Sequence, residues 1–161
     1  MILILLSLIA GLLYYIGGCS KEEIKKRFPF FPSQFVNTKV RDFGVPLIAC
    51  TVLTLLHGWH WSLLLVFILM FGSMTTYHKW INRLLDKPED NVYWYGWAMT
   101  GLCYGLSVGP YIFTQGLSIP NYIIMSTLLS GFITLWSEKI DDVVLEASGR
   151  GVAVIIFLIS L

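Results

Sequence analysis

The chain has 161 residues, of which 56% are hydrophobic and 13% charged, with a mean hydropathy of +0.71. That composition excludes an ordinary soluble domain and makes lipid the expected solvent for most of the chain. A formal net charge of +1 excludes the basic face that a nucleic-acid partner requires.

Only helices or a closed barrel satisfy every backbone group in hydrocarbon, and the apolar stretches are continuous runs rather than the alternating ten-residue pattern of a barrel. The expected fold is therefore all-α: a polytopic transmembrane helical bundle forming one integral membrane domain over residues 1–161. Six spans are predicted, at about 1–18, 44–59, 61–77, 94–113, 122–136 and 143–161. Several are shorter than the roughly 20 residues of an ideal span, so local thinning and snorkelling at the ends are expected, and five helices is the variant if one segment is re-entrant.

The first segment ends in Ile16-Gly17-Gly18-Cys19, which has the look of a bacterial lipoprotein cleavage box. No basic residue precedes it, and cleavage would put the Lys/Arg-rich stretch that follows on the outside, so it is read as a helix. Residues 19–42 then form an inner-face interfacial segment. A charged stretch from Lys21 runs into Phe28-Pro29-Phe30-Phe31-Pro32, where two prolines forbid a regular helix interior and rings lie beside cations. An ordinary loop dipping its rings into the headgroup layer is the plainer version.

Between the second and third spans, His57-Gly58-Trp59-His60 suits a tight hairpin at a membrane surface. His57 and His60 have the spacing of the start of a metal site, but no carboxylate accompanies them and interfacial polar residues explain them. No metal site is expected. His78 falls one helix away, roughly 25 Å at 1.5 Å per residue, and shares the predicted inner face with Arg41, Asp42, Asp90 and Asn91. Cys19, Cys50 and Cys103 lie in or beside apolar runs without CxxC spacing and are read as small packing residues.

In the fourth span Gly101, Gly105 and Gly109 recur every four residues, a smooth stripe for helix packing against a neighbour or against another copy of the chain. Ser126, Ser130 and Thr134 have the same spacing in the fifth span. A permeation path lined by these small residues is the alternative use. The start of the last span carries Glu138, Asp142, Glu146 and Arg150, each four apart, a polar stripe that drifts about 40° per step. Glu146 and Arg150 are spaced to pair, whereas Glu138 and Asp142 repel, with Asp141 adjacent, unless water, a cation or a base such as Arg83 intervenes.

Sidedness follows from charge. All eleven basic residues fall in the connections 18–43, 78–93 and 137–150; the 57–61 turn, the 114–121 loop and both ends have none. The positive-inside rule places both termini and these two turns outside, with the basic loops cytoplasmic in a bacterial-type inner (plasma) membrane. Tyr14, Tyr15, Tyr77, Trp80, Trp94 and Trp136 fall at inner boundaries, and Trp59, Trp61, Tyr111 and Tyr122 at outer ones. The two three-span halves would be oppositely oriented, without internal sequence similarity to support a repeat.

No P-loop, dinucleotide fingerprint, HExxH or GxSxG occurs, and no cofactor is specified. Gly149-Arg150-Gly151-Val152-Ala153 and residues 37–41 resemble, over a handful of positions, the glycine-rich phosphate loops of acyl-phosphate glycerol-phosphate acyltransferases. Their order and separation are not that family's, so no membership is read from them. The leading expectation is a non-enzymatic membrane protein whose acidic last helix supports permeation, ion or proton coupling, or assembly, with the lipid bilayer as partner and a homo-oligomer through the glycine stripe as a further association. The alternative is a small membrane-embedded enzyme on a lipid or phosphate substrate at the cytoplasmic leaflet, with catalytic candidates His78, Asp142, Glu146 and Arg150 and the shared sidedness of Arg41, Arg83, Asp90 and Glu138. A structural or membrane-perturbing protein without a defined pocket is a third.

Overall fold

The computed structural model describes residues 1–18, 25–26, 29–30, 38–85, 101–139 and 143–161, with the backbone alone at 3, 14, 17–18, 38, 77–85, 137–139, 143 and 146. Among the described residues all regular structure is α-helical and none is a strand: α1 (Ile2–Gly18), α2 (Thr38–His57), α3 (Ser62–Leu85), α4 (Gly109–Gln115), α5 (Ile119–Lys139) and α6 (Val143–Ser160). A helical stretch at 101–107 leads through a turn at Val108 into α4.

The helix ends follow local chemistry. Gly58, at φ +92°, ends α2 in a left-handed conformation that a residue with a Cβ rarely adopts. Its amide donates to the Thr54 carbonyl at 3.0 Å. Gly116, at φ +64°, does the same for α4, and the Leu117 amide closes that end on the Ile112 carbonyl. Ser118 then caps α5, its hydroxyl accepting from the Asn121 amide at 3.4 Å, with Pro120 in the first turn, where no N–H is needed.

Several boundaries differ from the sequence expectation: α5 runs to Lys139, so Glu138 stands on α5 and not on the last helix with Glu146 and Arg150, and a turn at Val108 interrupts the expected fourth span. α2 begins at Thr38, so Lys39, Arg41 and Asp42 stand on a helix rather than in an interfacial segment. α3 continues to Leu85, so His78, Lys79 and Arg83 are helical and not part of a connection. Residues 38–43 and 78–85 contain neither proline nor glycine, so nothing local stops either helix where its apolar run stops. Of residues 19–42, Lys25 and Lys26 are helical and exposed, and Pro29 and Phe30 form an exposed turn.

Helices consecutive in the chain run antiparallel, as do α1 and α6, whereas α2 and α6 run parallel. α1 and α6 approach most closely, because the seam is built from small residues: a Cβ on Gly151 would sit 2.5 Å from the Gly11 nitrogen, and one on Gly11 would sit 3.2 Å from Ser148 Cα. α2 packs on α1, α3 and α6, with Gly44 against Leu13. α5 packs on α6 and on the 101–109 stretch. These pairings bring the first turn of α1, the 57–61 turn, the 115–118 turn and the last turn of α6 to one end of the bundle. At that end Asn121 Nδ2 donates to the Ser160 carbonyl at 2.5 Å.

The exterior of the bundle is apolar, and its seams hold small polar residues among the apolar ones. Ile4, Leu8, Leu64, Ile68, Leu106 and Leu128 each expose more than half their surface, whereas Ser62, Ser107, Ser126 and Ser130 are buried between helices. Among the described residues, Lys39–His57 and Ile119–Trp136 are long and apolar enough to cross a membrane. The stretches Ile4–Leu13, Ser62–Thr76 and Ala147–Ser160 are apolar but shorter. Among the described residues, two of the predicted spans therefore meet the requirement by length and composition, and the start of the fourth lies outside them.

Candidate functional site

Two regions concentrate polar chemistry, one at each end of the bundle. In the first turns of α2, Arg41 and Asp42 are 6% and 3% exposed. Successive residues on a helix point about 100° apart, so this neighbouring pair meets only because the long arginine stem folds back. Arg41 Nε and Nη2 both donate to Asp42 Oδ1, at 3.2 and 3.1 Å. Pro46 stands four residues after Asp42 and has no N–H for that carbonyl, so the helix lacks one backbone bond beside the pair.

Arg150, on α6, is also buried, at 8% exposure, and α6 packs against α2. The helix seams fix its depth. Arg150 lies level with Gly11, which faces Ser148 and Gly151, while Gly44 faces Leu13. At 1.5 Å per residue, Asp42 and Arg150 are separated by roughly 7 Å along the bundle axis. Three charged side chains are thus withdrawn from the surface within about one and a half helical turns of each other. Arg150 is the member of the predicted polar stripe whose side chain is described. Asp142, Asp141, Asp90 and Asn91 lie outside the described residues, as do the side chains of His78, Arg83, Glu138 and Glu146. Most of the expected convergence therefore falls outside the described part of the chain, and Arg41, Asp42 and Arg150 are its described members.

The seam beside Arg150 is unusually tight. Trp136 of α5 lies flat on Gly149, so a Cβ at that position would fall within its indole ring, and Trp136 Nε1 donates to the Leu145 carbonyl at 3.3 Å. Phe132 stacks on the same ring at 5.4 Å.

The glycine stripe is occupied inside the chain. Gly101 faces the Ser130 backbone, Gly105 lies where a Cβ would be 2.7 Å from Ser126 Oγ, and Gly109 meets the Tyr122 hydroxyl. An association of copies through this stripe would have to displace α5.

At the other end, the 57–61 turn is tied to α4. Tyr111, fully buried, donates its hydroxyl to the Gly58 carbonyl at 2.7 Å. Thr114 Oγ1 lies 2.9 Å from Ser62 Oγ, which lies 2.9 Å from His60 Nδ1. The His57 ring is 6.5 Å from that of Tyr111. Trp59 and Trp61 are exposed. His60 therefore spends one ring nitrogen on the start of α3. Of the cysteines, Cys50 donates to the Leu63 carbonyl across the α2–α3 seam at 3.5 Å, and both Cys50 and Cys103 are free thiols.

Sequence reading named Arg41 and Asp42 only by their side of the membrane and missed their burial. The signal was present: Arg41 and Asp42 stand three or four residues before Val45, which stands four before Ala49, and all are buried. A helical stripe could thus have been extended back across the charges. Compared with protein-family models, with characterised proteins and with solved structures, the chain matches none.

Proposed function

We propose that this chain is a polytopic, non-enzymatic membrane protein that couples to the movement of protons or small ions through buried ionisable groups at its inner end. In this reading six helices span a bacterial-type inner membrane, both termini face outward and the basic connections face the cytoplasm. The observation that carries it is the burial of Arg41, Asp42 and Arg150 inside a bundle whose exterior is leucine and isoleucine. Ionisable groups in such a setting are costly, and they persist where an ion or proton pathway uses them. The inward placement of serine and glycine and the outward placement of large aliphatic residues suit a lipid solvent, because an aqueous one would leave an apolar surface far larger than a stable monomer tolerates.

Asp42 is the group that would exchange a proton or hold a cation. Arg41 would hold its carboxylate through the two hydrogen bonds to Oδ1, and Arg150 would supply a fixed charge about one and a half helical turns away along the axis. The grooves among the described residues are lined by aliphatic and aromatic side chains with a few hydroxyls, as between α5 and α6 at Leu128, Phe132, Val152 and Ile156. They offer lipid tails a surface. The test is proton flux into proteoliposomes loaded with a pH-sensitive dye under an imposed potassium diffusion potential. The expected result is a flux above that of protein-free vesicles, reduced at least about tenfold in Asp42→Asn. Flux equal to that of empty vesicles for the wild-type chain, across monovalent cations as well as protons, would overturn the reading.

A further inference from the structure

We infer that the inner end of α3 is a binding surface for anionic lipid headgroups of the leaflet from which it emerges. The inference rests on the membrane reading above and is independent of ion coupling.

Helix register shows that α3 overshoots its neighbours. Cys50 of α2 meets the Leu63 carbonyl of α3. From that contact α2 runs 12 residues to its inner end at Thr38, whereas α3 runs 22 residues to Leu85. The ten extra residues project roughly 15 Å along the axis. The other helices stop earlier. Gly44 meets Leu13, six residues from the end of α2 and five from that of α1; Gly11 meets Ser148, seven residues from the end of α1 and five from that of α6. Thus α1, α2 and α6 finish within about one turn of a common level, and the last turns of α3 pass beyond it. The polar layer on each side of a bilayer's hydrocarbon is roughly 5–8 Å thick, so the projection crosses it.

Residue type changes where the helix emerges. Residues 62–75 carry no charge. In the next ten, at 100° per residue, positions 77, 80, 81, 84 and 85 take one half of the circumference and are Tyr, Trp, Ile, Leu and Leu. The other half holds Thr76, His78, Lys79, Asn82 and Arg83, and no carboxylate occurs between Ser62 and Leu85. The carboxylates that follow begin at Asp86, outside the described residues. Tyr and Trp are the ring types that settle at headgroup level. Each basic residue near an anionic surface strengthens the attraction about fivefold.

A second element at the same end has the same chemistry. In the connection between α1 and α2, Lys25 and Lys26 are exposed and Phe30 exposes 98% of its surface. Lys39, at the start of α2, is exposed as well, four residues before the exposed Phe43. The 57–61 turn at the outer end also exposes rings, Trp59 and Trp61, but has no lysine or arginine. Cations accompany rings only at the inner end, and that charge selects an anionic surface over a neutral one.

The test uses full-length protein with Cys19, Cys50 and Cys103 replaced by serine, a bimane at Ile81→Cys and phosphatidylcholine vesicles. Phosphatidylglycerol or phosphatidylcholine, spin-labelled near the headgroup, is titrated in at low salt. The expected result is a preference of about tenfold or more for phosphatidylglycerol in quenching, falling about fivefold in Lys79→Gln and in Arg83→Gln and lost in the double variant. Bimane at Trp61→Cys, at the outer end, shows no preference. Equal quenching by the two lipids at Ile81→Cys overturns the inference, as does the same preference at both ends or one that survives the double variant. Quenching by neither lipid overturns it too and leaves the apolar half of the helix to a protein partner. Bimane at Leu128→Cys, on the exterior of α5, separates the two readings. Its quenching by lipids spin-labelled on the acyl chain, whichever the headgroup, upholds the membrane reading even where the headgroup preference fails; its absence overturns both.

Discussion

Tyr111 and Gly58, 53 residues apart in the chain, are joined by a 2.7 Å hydrogen bond from the phenolic hydroxyl to the turn carbonyl. The ring is fully buried while the turn around it is exposed. One side chain of α4 thus fixes the hairpin between α2 and α3. Tyr111→Phe keeps the ring and removes the bond, and should lower stability by about 1 kcal/mol, whereas Tyr111→Ala should cost about 3–5 kcal/mol through the cavity it leaves. Thermal unfolding of the two variants in one detergent measures the difference. Equal losses would show that the hydroxyl contributes nothing.

Glycines in this protein divide by what lies next to them. A Cβ at Gly151 would meet the α1 backbone at Gly11, but at Gly131 nothing lies within 4 Å. Gly151→Ala should therefore destabilise by about 1–3 kcal/mol as α1 and α6 are forced apart. Gly131→Ala should be neutral or stabilise by up to about 1 kcal/mol, because alanine loses less backbone freedom in a helix. Paired denaturation curves settle the order of the two.

The Arg41–Asp42 pair predicts strong coupling between its members. Arg41→Met or Asp42→Leu alone leaves one charge buried with its ion pair broken, at a cost of about 3–5 kcal/mol. The double variant should cost less than either single change, since it removes both desolvated charges together. A double-mutant cycle on unfolding free energy gives the coupling, and additive costs would show that the two charges are independently solvated.

Trp136 and Gly149 predict a rescue. Gly149→Ala places a methyl group inside the volume of the indole ring and should open the α5–α6 seam. Trp136→Ala removes the obstacle, so the double variant should be more stable than the sum of the two single losses. Stability of the three variants, followed by near-ultraviolet dichroism of the remaining tryptophans, tests this.

What could be read along the chain was period and polarity. Runs such as Ile2 to Leu13 and Val152 to Leu158 are apolar enough that helix follows from the need to satisfy backbone groups, and the turn at Gly58 and the close at Gly116 are written in residue type. The every-fourth-residue spacing of Gly101, Gly105 and Gly109 announced a close helix contact, without saying whether its partner was α5 or another copy. Helix boundaries were less legible, because 38–43 and 78–85 change from apolar to charged without any residue that breaks a helix.

The sequence by itself determined that this chain is helical, that turns fall at 57–61 and 114–121 and which positions are smooth enough for close approach, since these depend on neighbours within a few residues. Only the tertiary structure decided that Arg41, Asp42 and Arg150 are buried, that Ser126 and Ser130 fill the glycine stripe, and that His60 caps α3 beside Thr114. Burial and hydrogen-bond direction are properties of helices that meet across long stretches of chain, and no periodicity along one helix encodes which partner lies opposite.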